Sequence, residues 1–248
     1  MKNLRAIGRL LFFAFYTLYK SGQIIFANLL LRADMRRTLR IRQRWAKVLL
    51  PMIGLRVHKE GTAPGFPCIL MSNHRSYIDP AVLARDVPGY GVAKAEMANW
   101  PVVGWGARVA GVLFIRREDP KSRKATLSGI AEKVREGFPV ILFVEGTTHT
   151  KPSTVDFRPG GFKLAAEEGI KIVPVAIEFQ SKADCWVDDD TFLPHLFRRF
   201  REKNRHVHVH YGPVLSGSDP VALLRDCKAW IDGELSTIQK GFLQKPLN

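Results

Sequence analysis

The fold is decided at residues 68–80, which read Cys-Ile-Leu-Met-Ser-Asn-His-Arg-Ser-Tyr-Ile-Asp-Pro. The first four residues are apolar and have the length and composition of a buried strand. Asn73 can end that strand. Asp79 and Pro80 are typical of a helix start, with Asp79 as the cap and Pro80 at the first helical position. The stretch therefore predicts a strand, a short loop and a helix in succession.

His74 and Asp79 are the residues of this stretch that can carry chemistry. The predicted loop places an imidazole where the strand stops and a carboxylate where the next helix begins. That position is the C-terminal edge of a sheet, where open α/β sheets bind ligands. A histidine oriented by a carboxylate can take a proton from a hydroxyl near neutral pH. Taken alone, Asn73, His74 and Asp79 also fit a turn and a helix cap.

Composition narrows the possible partners. The chain has 248 residues, with 38 lysines and arginines against 23 aspartates and glutamates, so its formal net charge is +15. This excess predicts a polyanionic partner, which could be nucleic acid, an anionic membrane face or a phosphorylated substrate. Cys68, Cys185 and Cys227 are scattered without disulfide or metal spacing, and they indicate a reducing, cytosol-facing compartment.

From residue 51 onward the pattern is α/β. Apolar runs predict strands at 55–58, 68–71, 91–94, 111–115, 139–144, 172–177 and 207–211. Helical spacing is found between them, at 80–85, around 100–105, at 120–136, at 162–168 and at 220–241. Residues 182–203 are polar and aromatic and predict no definite element. Alternation of strands and helices predicts a largely parallel twisted sheet covered by helices, formed by residues 51–248.

Residues 1–50 form a separate basic and apolar segment. Two apolar runs, 10–16 and 24–31, flank Lys20–Gln23, and an arginine-rich stretch follows at 32–47. A transmembrane helix from 10 to 31 is long enough but would place Lys20 near its middle. A signal peptide lacks a convincing cleavage site. We favour a membrane-docking helical pair with a break at Lys20–Gly22 and its arginines on lipid phosphates. An amphipathic pair that only covers the core is the plain alternative.

Three further motifs lie at the ends of predicted strands. Residues 111–117 deliver Arg116 and Arg117, whose guanidinium groups suit phosphate oxygens. Residues 143–148 place Glu145 and Gly146 after a buried strand, where a charge is unusual unless it binds or orients something. Residues 172–176 contain Pro174, which suits an edge strand or an irregular position beside a cleft. Each motif alone also fits an ordinary strand end, turn or core strand.

Taken in order, these motifs resemble the glycerolipid acyltransferase family, in particular the 1-acyl-glycerol-3-phosphate acyltransferases. The family's histidine, four residues and aspartate are matched in full by residues 73–79. The second, third and fourth blocks are matched by Gly111, Phe114, Ile115 and Arg117, by Phe143, Glu145, Gly146 and Thr147, and by Val173, Pro174 and Val175. The resemblance covers about residues 55–211, and the basic, apolar start is similar to the family's membrane-docking helices.

The third block departs from the family pattern. Val144 replaces a proline, Thr148 an arginine and His149 a serine. In the family that arginine helps to hold the acceptor's phosphate. Either other cations take over this role here, namely Arg117, Arg116, Lys94 or Arg158, or the acceptor lacks that phosphate. A lyso-ornithine lipid, or another lyso-lipid with a free hydroxyl, therefore stays open as the acceptor.

The resemblance implies acyl transfer from acyl-CoA or acyl-carrier protein to a lyso-lipid hydroxyl at the cytoplasmic face of the inner or cell membrane. His74 would be the general base and Asp79 its orienting carboxylate. Asn73, Glu145, Gly146 and Thr147 would shape the acceptor site. No cofactor, metal or nucleic acid is expected. His206, His208 and His210 alternate along one strand; zinc is conceivable there, and we interpret them as surface strand residues.

Two other classes stay open. The charge also fits a non-enzymatic basic module that binds membranes or nucleic acid, although no nucleic-acid reading motif is present. A hydrolase could use the same histidine and aspartate on water, although the chain has no serine elbow.

Overall fold

A computed structural model describes residues 1–30, 34–100, 102–187 and 190–244. Seven strands form one sheet: β1 Leu55–Glu60, β2 Ile69–Ser72, β3 Tyr90–Lys94, β4 Val112–Ile115, β5 Val140–Phe143, β6 Ile172–Phe179 and β7 Arg205–Tyr211. The strand order is β1-β7-β6-β2-β5-β3-β4. Every neighbouring pair is parallel except β6 and β7. The predicted helix-covered, largely parallel sheet is confirmed.

Helices cover both faces of this sheet. They are α1 Lys2–Leu30, α2 Met35–Met52, α3 Asp79–Ala84, α4 Val103–Val109, α5 Pro120–Arg135, α6 Gly160–Glu168, α7 Phe192–Phe200 and α8 Pro220–Gln244, with short 3₁₀ turns at Ala95–Asn99 and Lys182–Asp184. One core cluster joins α1, α2, α3 and α7 to the sheet, and a second joins α5, α6 and α8 to the opposite face. The central strands β2, β5 and β6 are buried on both sides, which explains their nearly continuous apolar sequences.

Parallel pairing brings the site residues together. Strands β4, β3, β5, β2 and β6 run in one direction, so their carboxyl ends meet at one edge of the sheet. His74 follows β2, Glu145 follows β5, Lys94 ends β3 and Arg117 follows β4. Residues that are far apart in sequence therefore converge above the middle of the sheet, as expected for an open parallel sheet.

The break expected at Lys20–Gly22 is wrong. α1 continues through these residues, because one glycine inside a helix costs only about 1 kcal/mol relative to alanine. Lys20 donates to Gln23 Oε1 at 2.9 Å and lies over the rings of Tyr16 and Tyr19, so the helix accommodates its charge. The pair instead consists of α1 and α2, and Asp34 caps α2 by accepting from the Arg37 N–H. Leu31 and Arg32, which the sequence interpretation also used, lie outside the described residues.

The N-terminal helices share the core of the α/β domain. Ala6 and Phe13 of α1 and Leu50 of α2 belong to the same buried cluster as β5, β6 and β7. Among the described helices, α1 alone has the length and composition needed to cross a membrane. A domain boundary at residue 50 stays a prediction.

Two local expectations need correction. Of the two positions expected for Pro174, the edge strand is wrong, since β6 lies between β7 and β2. It is tolerated because its missing N–H faces β7 where that strand has ended: Gly212 N donates to Pro174 O, and Ile172 pairs with Leu215 beyond it. Residues 182–203, for which no element was predicted, contain α7. This helix buries His195, Leu196 and Phe200 on one face.

Candidate active site

Asn73 begins the loop by extending the sheet rather than by facing a ligand. Its side-chain amide donates to Ile177 O at 2.9 Å and accepts from Ile177 N at 2.8 Å, so the amide pairs with β6 as a strand residue would. The residue is completely buried. This corrects the expectation that Asn73 binds substrate, because both polar atoms of its side chain are already used. Asn73 instead sets where the following histidine leaves the sheet.

Asp79 holds the loop from the first residue of α3. Its Oδ2 accepts from the His74 ring at 2.8 Å and from the backbone N–H groups of Arg75 and Ser76 at 2.7 and 2.8 Å. The expected capping role is therefore wrong: the carboxylate points back into the loop, and α3 has no side-chain cap. Since Asp79 is completely buried, its charge is stabilised by these three donors.

The contact with Asp79 decides the tautomer of His74. A carboxylate oxygen only accepts, so His74 Nδ1 carries the proton and Nε2 presents a lone pair. The ring stacks on Phe143 with centroids 4.1 Å apart, and 16% of the side chain is exposed. An imidazole held in this way can accept a proton at Nε2 while Asp79 stabilises the resulting cation.

Glu145 supports the same loop from the end of β5. Its Oε2 accepts from the backbone N–H of His74 at 2.6 Å, and its Oε1 accepts from His149 Nε2 at 2.7 Å and Val155 N at 2.9 Å. The carboxylate is buried and all its contacts are with protein donors. The predicted role of Glu145 in shaping the acceptor site stays a prediction. Gly146 follows at φ +67°, a conformation that favours glycine.

A cationic cavity of about 780 Å³ opens at the carboxyl ends of β3, β4 and β5, on the α5 and α6 face of the sheet. Lys94, Arg117 and Arg158 line it, together with Arg123 and Glu118, which the sequence analysis did not single out. Arg117 donates to Gly146 O. Burial lowers the pKa of Arg117 below its usual range; the nearby Arg158 also lowers it, and Glu118 opposes this. These side chains form a site suited to an anion.

Two of the predicted site residues lie outside this cavity. Arg116 is exposed and does not line it, since successive side chains at the end of β4 point to opposite faces and Arg117 takes the cavity side. Thr147 is also exposed and lies outside its lining. Thr148, at the position where the family has arginine, donates to Trp186 O. Substrate contacts by Arg116 and Thr147 stay predictions.

An apolar cavity of about 170 Å³ lies on the opposite face of the sheet. Its walls come from α1, α2, α3, α4, α7 and the sheet, and include Phe13, Tyr77, Trp100 and Leu196. Phe143, on which the His74 ring stacks, lines both cavities. The sequence analysis missed this cavity, because its walls are supplied by segments almost 200 residues apart whose apolar residues look like ordinary core.

Comparison with known proteins identifies the class. A sequence profile described as "Acyltransferase" matches residues 54–178, which contain the loop, the two arginines that follow β4 and Glu145. The chain belongs to the acyltransferase family, in the group of glycerolipid and lyso-lipid enzymes, and it is an O-acyltransferase. His74 and Asp79 are in contact as expected, and their catalytic roles stay predictions.

Individual relatives differ in acceptor. A lyso-ornithine lipid O-acyltransferase of Pseudomonas aeruginosa is 33% identical over 196 residues, 76% of this chain and 76% of that protein. A chloroplastic 1-acyl-sn-glycerol-3-phosphate acyltransferase of Brassica napus is 33% identical over 45% of this chain and 33% of that protein. The crystal structure of the acyltransferase PlsC from Thermotoga maritima has the same fold, with a TM-score of 0.73 at 19% identity over 96% of this chain and 98% of that one.

Proposed function

We propose that this enzyme moves a fatty acyl group from acyl-CoA or acyl-carrier protein to the free hydroxyl of 1-acyl-glycerol-3-phosphate, giving phosphatidic acid at the cytoplasmic face of the membrane. The observation that carries this proposal is the position of His74. Its ring stacks on Phe143, which, like Val92, lines both a cationic cavity and an apolar cavity. A phosphorylated headgroup and an acyl chain could thus be held on either side of one base.

The proposed reaction needs no covalent enzyme intermediate. His74 Nε2 takes the proton of the acceptor hydroxyl as the oxygen attacks the thioester carbonyl. The carbon–sulfur bond then breaks, and the imidazolium returns its proton to the leaving thiolate. Asp79 keeps Nδ1 protonated throughout, which holds the free lone pair toward the acceptor. A general base of this kind contributes about 10²–10⁴-fold in rate.

Lys94, Arg117 and Arg158 would bind the acceptor's phosphate. They line the same cavity. This clustering supports the view that they take over the role of the third-motif arginine, whose position is occupied here by Thr148. The apolar cavity on the other face would take the acyl chain, since its lining is almost entirely hydrocarbon and aromatic. Its walls include α1, so the cavity that would hold the chain adjoins the helix that would meet the bilayer.

Membrane docking is supported by the N-terminal helices. Leu4, Ile7, Leu11, Phe15 and Leu18 are exposed along one side of α1 at helical spacing. Arg37, Arg40 and Arg44 of α2 are exposed and line a groove against α1 with Lys20. An apolar face beside a row of cations suits the interface of an anionic membrane, with α1 lying among the acyl chains.

A lyso-ornithine lipid is the second candidate acceptor. Ornithine offers a carboxylate and an ammonium, and the cationic cavity also contains the carboxylate of Glu118. The absence of arginine at position 148 and the Pseudomonas aeruginosa relative also favour this candidate. The two acceptors therefore predict different roles for Glu118 in the same cavity.

The test offers purified protein in vesicles both lyso-lipids with labelled acyl-CoA, and identifies the products by mass spectrometry. With 1-acyl-glycerol-3-phosphate as the true acceptor, Arg117→Ala and Lys94→Ala raise its KM about 10- to 100-fold, since a hydrogen bond to a charged group contributes roughly 1.5–3 kcal/mol. Arg116→Ala is the matched control, because this neighbouring arginine lies outside the cavity. Acylation of lyso-ornithine lipid alone, with loss on Glu118→Gln, would select the second candidate.

A further inference from the structure

Glu145 depends on one side chain for its position. The only side chain that donates to its carboxylate among the described residues is His149, at 2.7 Å from Oε1; the other donors are the backbone N–H groups of His74 and Val155. Glu145 Oε2 meets the N–H of the proposed base itself. Movement of this carboxylate would therefore release the backbone of His74 on one side.

The proton position on His149 is determined by its neighbours. Arg75 Nη1 lies 3.0 Å from His149 Nδ1, and Lys151 N lies 3.1 Å from the same atom. Both groups can only donate, so Nδ1 is an acceptor and Nε2 carries the proton that is given to Glu145. His149 is thus a neutral imidazole that joins a cation to a carboxylate.

Arg75 anchors this arrangement from inside the protein. The guanidinium is 1% exposed, and it pairs with Glu178 of β6 at 3.0 Å. Gln239 of α8 donates to the same Glu178 oxygen at 2.8 Å. Because Arg75 follows His74 in the chain and its own N–H binds Asp79, the network returns to the catalytic loop from both sides. His149 is the link between its two halves.

We propose that His149 is a positioning residue for acyl transfer: it holds Glu145 against the backbone of His74 and so fixes the direction of the His74 ring. It is not placed to act on substrate, because both of its ring nitrogens are already bound within the protein, Nε2 to Glu145 and Nδ1 to Arg75 and Lys151. The inference rests on the proposed role of His74 as general base. Serine, usual in the family at this position, is too short to join Glu145 to Arg75.

The test compares His149→Ala, His149→Gln and His149→Asn in steady-state assays. Alanine should lower kcat about 10- to 100-fold with both KM values within about twofold, since a displacement of about 1 Å at a reacting group costs up to 10²-fold. Glutamine should restore most of kcat, because its amide can accept from Arg75 and donate to Glu145. Asparagine is one methylene shorter and should restore less.

His210→Ala is the matched control. His210 and Glu234 form a second histidine–glutamate contact, 2.7 Å long, partly buried and away from the loop, so its loss should leave kcat unchanged. Melting temperatures are measured for every variant, and the Gln–Asn comparison decides the matter if alanine does not fold.

His74→Ala, assayed in parallel, separates the two proposals. An inactive His74→Ala beside a fully active His149→Ala would overturn the positioning role and leave the base in place. An active His74→Ala would end the proposed function itself. A kcat loss in His149→Gln as large as in His149→Ala, or a rise in acceptor KM in both, would also overturn the positioning role.

Discussion

His74 and the histidines of the β1–β7 pair are the same side chain in opposite settings. His74 Nδ1 is bound to a buried carboxylate, and Nε2 has no hydrogen-bond partner among the described residues; the ring stacks on Phe143, which lines both cavities. His58, His206 and His208 meet one another instead: His58 Nε2 lies 2.8 Å from His206 Nδ1, and the rings of His58 and His208 stack at 4.5 Å. Whether a histidine can act as a base thus depends on which group binds one ring nitrogen and on whether the other ring nitrogen is accessible.

The β7 histidines are structural and largely buried. His206 and His210 are 5% and 6% exposed, so the interpretation of surface strand residues is wrong. The reason is α8, which packs on this face with Phe242 against the His208 ring and Glu234 against His210. Among the described residues, no group of three or more His, Cys, Asp or Glu side chains is placed to hold a metal ion.

The largest expected effect is the loss of His74, the proposed catalytic histidine of this comparison. His74→Ala should lower kcat by about 10²–10⁴-fold through loss of the general base. His206→Ala, which removes an imidazole from the structural group, should leave kcat near the parent value while lowering the melting temperature. Steady-state assays of both folded variants make the measurement. Comparable kcat losses in His74→Ala and His206→Ala would show that removing a buried histidine lowers kcat regardless of its position, and would contradict the difference inferred between the two settings.

The next effect concerns the partner that distinguishes His74. Asp79→Asn should lower kcat by up to the full general-base contribution of about 10²–10⁴-fold, because an amide placed there can donate to Nδ1 and favour the wrong tautomer. Circular dichroism and melting curves control for the loop, since the carboxylate also receives the N–H groups of Arg75 and Ser76. Unchanged kcat in a folded Asp79→Asn would mean that the tautomer is set by something else.

Local patterns predicted most of the sheet and the contact between His74 and Asp79. Buried parallel strands are short continuous apolar runs, and the two residues are close in sequence, so both follow from neighbours along the chain. The environment of the site could not be predicted in the same way. Asn73 binds Ile177, and Arg75 binds Glu178 and His149. These contacts depend on which strands are neighbours in the sheet, and local sequence patterns do not predict strand order.

The direction in which the Asp79 side chain points could not be predicted from the sequence either. Asp before Pro is a common helix start, and the pattern is the same whether the carboxylate caps the helix or turns back. Here the backbone N–H groups of Arg75 and Ser76 in the loop, rather than those of the helix, donate to the Asp79 carboxylate. His149 offered a signal only as a departure from the family pattern, and its partners emerged from the fold.

A smaller effect tests the structural histidines through pH. Burial, followed by the nearby His58, His210 and His206, lowers the pKa of His208 from its ordinary 6.5 to about 4, and the pKa values of His58 and His206 are lowered in the same direction. Between these pH values the unfolded chain binds a proton that the folded chain does not. The free energy of unfolding should therefore fall as pH drops from about 6.5 to about 4.

For the partly exposed His208 ring, this loss should be about 1–2 kcal/mol after allowance for solvent screening. Urea unfolding at a series of pH values measures it. His208→Phe keeps a ring beside Phe242 and removes the titration, so its stability should vary less over the same range. Arg56, Glu60 and Glu234 also face this group, and they are unchanged in both proteins. Identical pH dependence in parent and variant would refute the assignment to His208.

The smallest expected effect is at His210, the histidine that most resembles His74 in its contacts. It too meets a carboxylate, with Nδ1 at 2.7 Å from Glu234, but its Nε2 lies 3.3 Å from Glu60 instead of facing an opening. His210→Gln should lower the free energy of unfolding by about 1 kcal/mol, the net contribution of a typical hydrogen bond, since the partly exposed Glu234 can be rehydrated. Its kcat should equal that of the parent. A loss of activity without loss of stability would mean that a histidine–carboxylate pair affects catalysis even when both ring nitrogens are bound. That result would contradict the role assigned here to the unbound Nε2 of His74.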